Sequence, residues 1–236
     1  MKRWLKTWLR YRADEETAPI RDVLGAERAP QRPYCADHQG DFIFRLIAAR
    51  GYLHCIQTGF GTGSTALYML AALRKLGGGE VVSIDWSETS FNEVGRRHLA
   101  RSGLSEHHDL IEEPSYGVVA RFLNEGRRWD FIFIDGWKTF DYLAFELFAF
   151  NRMLADGGAI MFDDCQLPAV RRAISMLKRH YGYEEVDYRT LGQTLRLRIL
   201  QILTTRSLLR PYRALRKAVP LQSQQPTRDW TFYRRF

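Results

Sequence analysis

Two short stretches limit the fold more than any other feature. "WDFIFIDG" (129–136) and "GGAIMFDDC" (157–165) place apolar residues on consecutive positions, then run into acids. A half-solvated strand would alternate apolar with polar residues. Continuous apolar character in so short a run marks a strand buried on both faces, as in a parallel sheet covered by helices. The flanking segments agree. "DHQGDFIFRLIAAR", "GSTALYMLAALRKL", "SFNEVGRRHLARSG", "YGVVARFLNEG", "FDYLAFELFAFNRML" and "PAVRRAISMLKRHYG" read as helices. "YLHCIQTG", "GGGEVVSIDWS" and "HDLIEEPS" read as strands between them. Alternation with short joins predicts an α/β fold with a doubly wound, mostly parallel sheet and helices on both faces. "YEEVDYR" and "YRALRKAV" are candidates for a sixth and a seventh strand.

The chain divides into three parts on this reading. Residues 1–36 form an arm and linker, 37–189 the core, and 190–236 a basic extension that completes the sheet. "MKRWLKTWLRYR" has Trp4, Leu5, Trp8 and Leu9 at helical spacing and predicts a short amphipathic helix. Residues 13–36 are charged and hold Pro19, Pro30 and Pro33, which predicts a linker. "LRLRILQILTTRSLLRPY" reads as a basic helix or an inserted excursion, and "DWTFYRRF" as an aromatic tail that packs on the core.

Composition narrows the class. With 236 residues, 45% hydrophobic and 13% aromatic, the chain can build a real core, and disorder is excluded as its general state. Cys35, Cys55 and Cys165 form no CxxC pair, which speaks against a disulfide framework or a cysteine zinc site and for a reducing compartment. No apolar run has the length of a membrane span, so the expected location is cytoplasmic. The net charge of +8 is carried at the ends. Residues 189–236 hold eleven Lys/Arg against one acid, and the first twelve residues hold five basic residues and no acid. The middle is net acidic, unlike a nucleic-acid surface. The basic ends read as a solvated periphery, with weak contact to an anionic membrane as the sharper alternative. A homodimer through the terminal arms is a further expectation.

In doubly wound sheets, ligands bind beyond the carboxyl ends of the strands. The chemistry-bearing residues fall there: Gly59–Gly63, Asp85, Glu112–Ser115, Asp135–Lys138 and Asp163–Asp164. "QTGFGTGST" sets Gly59, Gly61 and Gly63 between a strand and a helix. Glycine admits positive φ and close approach to the backbone, and the helix end offers free N–H groups. A dinucleotide loop wants GxGxxG, but here the third glycine comes one residue early and Ser64 stands in the final place. That spacing suits a cofactor without phosphate. Asp85, closing the second strand, can accept both hydroxyls of a ribose. Asp135 and Lys138, three residues apart, suit either an ordinary ion pair at a strand end or a catalytic pair.

Taken together, these segments resemble the class I S-adenosylmethionine-dependent methyltransferases. "IQTGFGTGST" resembles their first motif and "VVSIDWS" their acidic second. "DFIFIDGWKTFDY…LADGGAIMFDDC" is similar to the small-molecule O-methyltransferase branch that includes catechol O-methyltransferase and the family 24 methyltransferases. The resemblance covers roughly residues 37–183 and implies a Rossmann-like, seven-stranded methyltransferase sheet. It implies S-adenosylmethionine as cofactor, held by Thr58, Gly59, Gly61, Gly63, Ser64, Asp85, Trp86, Ser115 and Asp135. It also implies Mg²⁺ on Asp135, Asp163 and Asp164, with Lys138 and Asp135 catalytic and a small-molecule hydroxyl as acceptor. A hard cation on three carboxylates would lower the pKa of that hydroxyl and fix its position. Gln57 departs from the pattern, since many relatives carry an acid there, and bears on contact with the methionine amine.

Other function classes remain as alternatives. A nicotinamide-dependent oxidoreductase is disfavoured by the glycine spacing. A nucleic-acid-directed methyltransferase is disfavoured by the acidic middle and by the lack of a base-methylation motif. A membrane-peripheral methyltransferase would use the basic ends. Trp137 reads equally as a pocket wall and as a core aromatic. His38, His98, His107 and His108 have no metal spacing and read as packing or surface residues. Cys165 reads as a small buried residue.

Overall fold

The computed structural model describes residues 13–26, 34–86, 93–187, 191 and 211–218. The amphipathic segment 1–12, the excursion over 192–210 and the aromatic tail lie outside them. The elements are α1 (Ala18–Ala26), α2 (Asp37–Arg50), β1 (His54–Thr58), α3 (Ser64–Leu76), β2 (Glu80–Ile84), α4 (Val94–Ser102) and β3 (His108–Ile111). They continue as α5 (Ser115–Asn124), β4 (Trp129–Ile134), α6 (Phe140–Met153), β5 (Leu154–Phe162), α7 (Pro168–His180), β6 (Tyr183–Glu185) and β7 (Arg213–Lys217).

One seven-stranded sheet runs in the order β3-β2-β1-β4-β5-β7-β6. β1 pairs in parallel with β2 and β4, β2 with β3, and β4 with β5. β7 is antiparallel to both β5 and β6. The continuous apolar runs now have their reason. Along β4, Phe131 and Phe133 enter the core under α2 and α3, while Ile132 and Ile134 enter the core under α5, α6 and α7. Successive strand residues point to opposite faces, so a strand covered on both sides needs apolar residues at every position. All four side chains are fully buried, each contributing about 1.5–3 kcal/mol relative to exposure. Strand order reverses between β1 and β4, which opens a crevice at their carboxyl ends.

The linker expected over 13–36 is corrected over 13–26. Residues 15–17 form a 3₁₀ turn that leads into α1. Ile20 and Leu24, four apart, are buried in the core. Pro19 falls within the first turn of the helix, where the missing N–H is harmless. Asp41, fully buried on α2, holds the segment down. It accepts from the Asp14 amide at 2.7 Å and the Thr17 hydroxyl at 2.5 Å, and pairs with Arg21 at 3.3 Å. The prolines and the i, i+4 apolar pair point to different structures, and the docked partner decides between them.

The α2–α3 contact depends on a missing side chain. A Cβ on Gly40 would stand 2.2 Å from Cε2 of Tyr68, whose ring is fully buried on α3 and cannot swing clear. Gly40→Ala is expected to destabilise the fold by roughly 1–3 kcal/mol through overpacking, read as a lower midpoint in thermal or urea unfolding.

Candidate active site

A cavity of about 750 Å³ lies at the strand-order reversal. Its floor is the β1–α3 glycine turn, and one flank is the start of α5. The other flank is formed by Asp135, Gly136 and Trp137 after β4. Gly59, Gly61 and Gly63 all have positive φ, at 87°, 51° and 73°. At Gly59 the need is also steric, because a Cβ would lie 2.6 Å from the Asp135 carbonyl oxygen. Gly61 has open space at that position, so its backbone faces the cavity bare. Gly63 does not line the cavity. It is the left-handed residue that opens α3, packed on Phe60 and Gly95.

Asp85 is buried, and its Oδ2 accepts from the Phe60 amide at 2.8 Å and the Gly61 amide at 2.9 Å. The acid after β2 therefore clamps the glycine turn as well as facing the cavity. His98, fully buried on α4, bonds the Thr62 carbonyl through Nδ1 at 2.9 Å and braces the same turn from behind. Ser64 lines the cavity and accepts from the Cys35 amide at 3.0 Å, which brings Tyr34 and Cys35 in as a wall. Burial pushes the Cys35 thiol well up, so it stays protonated.

Gln57 does not line the cavity. It is fully buried, donating to Ser83 Oγ at 2.9 Å and accepting from Thr65 Oγ1 at 2.7 Å. Ser83 in turn meets His108 Nε2 at 2.7 Å. Burial, with the Arg96 charge, lowers His108 to about 4, so that ring is a neutral member of the chain. An amide suits a run of neutral groups where a carboxylate would be a buried charge.

Asp135 and Asp163 both line the cavity. Lys138 stands behind Asp135, its ammonium 2.9 Å from Asp135 Oδ1, 3.1 Å from the Gly136 carbonyl and 3.7 Å from Asp164 Oδ2. Asp135 keeps 33% of its side-chain surface open. The protein around it nonetheless pushes its pKa up to about 7, with Lys138 opposing and the Asp163 charge adding to the rise. Burial also raises Asp163. Asp164 is held at a left-handed φ of 52° and takes a 3.0 Å hydrogen bond from Gln166.

The Mg²⁺ ligand set expected from the sequence does not come together in this arrangement. Among the described residues no three or more His, Cys, Asp or Glu side chains are grouped to hold a metal ion. The space between Asp135 and Asp164 is taken by the Lys138 ammonium, an internal cation where a metal would sit.

Trp86 and Trp137 stand at the rim, 69% and 60% exposed. The core-aromatic reading of Trp137 is thereby corrected. Trp137 and Tyr116 each pack on Tyr142, at 6.5 Å and 6.0 Å between ring centroids. Cys165 is buried, as its neighbours in sequence implied. Glu146 on α6 went unnoticed in the sequence. It is fully buried behind Thr58, and burial raises it to about 7. The signal was present, since Glu146 is one helical turn from both Leu143 and Phe150 on the buried stripe.

The sheet order and the glycine-floored cavity are those of the class I S-adenosylmethionine-dependent methyltransferase fold, and the comparisons with known proteins agree. Residues 56–165 match the family Methyltransf_24, described as a methyltransferase domain. No curated protein sequence matches the chain. Among solved structures, the O-methyltransferase of Bacillus cereus in complex with S-adenosylhomocysteine (SAH) superposes with a TM-score of 0.61 at 18% identity. That match covers 78% of this chain and 87% of the other. The O-methyltransferase TomG of Streptomyces achromogenes, involved in tomaymycin synthesis and complexed with S-adenosylmethionine, gives 0.59 at 18% over 78% and 86%. A methyltransferase from Geobacter sulfurreducens gives 0.59 at 18% over 93% and 98%. At these identities the likeness is one of fold. Among the described residues no helix is long and apolar enough to cross a membrane.

Proposed function

We propose that this methyltransferase acts on a hydroxyl of a small molecule, a sugar, a polyphenol or another secondary metabolite. The observation that carries this reading is the presence of Asp135 and Asp163 together on the cavity wall beside the glycine turn. When bound, S-adenosylmethionine supplies an electrophilic methyl group on a sulfonium. Gly59 and Gly61 offer it bare backbone, and Asp85 faces its ribose while holding the turn. The helix start at Ser115 receives the adenine, and the rim around Trp86 and Trp137 shields both ligands from water. Asp135 accepts a hydrogen bond from the acceptor hydroxyl and aligns its oxygen for in-line attack. Lys138 keeps that carboxylate aimed, and the pair takes up the proton released as the O–CH₃ bond forms.

The donor set does not fit Mg²⁺ as it stands, so no step is routed through a metal. The oxidoreductase alternative loses its support to the methyltransferase-domain match. Of the basic segments behind the membrane and nucleic-acid alternatives, residues 1–12 and 195–210 lie outside the described residues, while 213–217 are taken up in the sheet as β7.

Calorimetric titration with SAH in EDTA, then with Mg²⁺ added, tests the reading. Binding of equal strength in both buffers is expected, and methyl transfer to a screened hydroxyl acceptor should persist in EDTA. Loss of transfer in EDTA with recovery in Mg²⁺ would show that Lys138 gives way to a metal. No binding in either buffer would remove the cofactor assignment.

A further inference from the structure

α6 is apolar on more sides than its place in the fold uses. Leu143, Leu147 and Phe150 face the core, yet Phe145 and Phe148, on the other side, are 39% and 49% exposed. A helix on the surface of a domain turns polar residues outward, and one that is apolar all round is normally covered. The two helices that pack against α6 keep to that rule. Arg121 and Asn124 on α5 are exposed, as are Arg171 and Lys178 on α7. An aromatic ridge therefore stands between two polar helices, the anatomy of an interface with an apolar centre and a charged rim.

The ends of the ridge carry opposite charges. Its exposed residues follow one another as Asp141, Phe145, Phe148 and Arg152. The spacings are four, three and four residues, so each stands one turn from the next on a single side of the helix. Asp141 is in the first turn and Arg152 in the last. The Arg152 guanidinium is held along the ridge, 3.7 Å from the centroid of the Phe148 ring, and donates to the Phe148 carbonyl at 2.8 Å. Among the described residues neither Asp141 nor Arg152 forms an ion pair.

A twofold interface sets residue i on residue j and j on i. The ridge has that self-complementarity, because its spacing is the same read from either end. With α6 of a second copy laid antiparallel about the midpoint of Phe145 and Phe148, Asp141 meets Arg152 of the partner subunit, and Phe145 meets Phe148 of the partner subunit. Symmetry makes each contact twice. An anionic lipid surface fits less well, since it calls for cations at both ends and Asp141 stands at one.

We infer that this chain forms a homodimer by antiparallel packing of α6 on α6, with Asp141 and Arg152 paired across the twofold, rather than through its terminal arms. Tyr142, at the first turn of α6, lines the cavity, so the two cavities lie toward opposite ends of the seam. The inference rests on the outer face of α6 and not on the methyltransferase reading.

The test is the solution mass of the full chain, of Asp141→Arg and of Arg152→Asp, each alone and then mixed in equal amounts, by sedimentation velocity at micromolar concentration. The wild type should be a dimer. Each variant alone sets like charges against each other twice, and its dimer should be roughly 10–10²-fold weaker. The mixture should regain the dimer, because the two substituted positions then face each other and the two native charges do likewise. Recovery on mixing also shows that both variants are folded. A monomeric wild type overturns the inference, and if it then sediments with vesicles of phosphatidylcholine and phosphatidylserine, the ridge belongs to a membrane surface. Variants that stay dimeric put the interface elsewhere, and a mixture that stays monomeric removes the charge pairing; both overturn it. If either charge variant fails to fold, Phe145→Glu takes its place, and a dimer of wild-type strength in that variant overturns the inference equally.

Discussion

Gly59→Ala is expected to abolish measurable SAH binding and to lower the thermal midpoint. Two costs combine at this position. An L-residue at φ 87° is strained by roughly 1–2 kcal/mol. The larger cost is steric. The added Cβ would stand 2.6 Å from the Asp135 carbonyl oxygen and 2.8 Å from its carbon. Both are backbone atoms at the end of a buried strand, so no side chain can turn aside. β1 and β4 must separate where they floor the cavity, and Asp135 moves with them. Gly61→Ala is the control. Its φ is also positive, but its Cβ meets nothing within 4 Å. That variant should keep its fold, and it reports on the ligand's own approach to the turn. Calorimetry and thermal unfolding of both variants check the point. Wild-type affinity in Gly59→Ala would mean that the turn does not shape the site.

Lys138→Ala should lower kcat by about 10²–10⁴, the range for loss of a positioned proton-transfer group, with SAH affinity little changed. The separation follows from geometry. Lys138 does not line the cavity, and its contacts are Asp135, the Gly136 carbonyl and Asp164. Removing it leaves Asp135 facing Asp163 and Asp164 without a counter-charge, while the glycine turn and Asp85 are untouched. Asp135→Asn keeps the shape and removes the charge, so it should lose turnover to a similar degree. Steady-state kinetics with a hydroxyl acceptor, alongside SAH titration, separate the two effects. Wild-type kcat in Lys138→Ala would reduce the Asp135–Lys138 contact to an ordinary strand-end ion pair.

The parts of the site legible in the sequence share one property: each is local. "QTGFGTGST" must turn because its glycines are needed within nine residues. Asp85 and Asp135 end apolar runs, and strand ends in such sheets face the ligand. Ser64, Ser115 and Trp86, which the resemblance implies, also line the cavity. The resemblance implies Gly63 at the cofactor, yet in the fold it serves the start of α3. One residue in a tight turn decides which glycine faces outward, and only the folded turn shows it.

What the reading missed depends on partners distant in sequence. The docking of α1 needs Asp41, 27 residues beyond Asp14 and 24 beyond Thr17. Glu146 matters because α6 lays it against Thr58, 88 residues away. The magnesium expectation sets Asp135, Asp163 and Asp164 at neighbouring strand ends, but the direction of Lys138 decides what fills the space between Asp135 and Asp164.

By itself, then, the sequence determined the sheet, its two-sided burial and the end of it that binds a ligand. Those follow from periodicity and from glycine's freedom, which act within a strand or a turn. The tertiary structure decided that Gln57 joins a buried neutral chain and that Trp137 stands at the rim. It also decided that an ammonium sits among the carboxylates. Each of these is a choice of which way a side chain points once several elements meet. Packing and electrostatics between distant segments make that choice, and no local pattern encodes it.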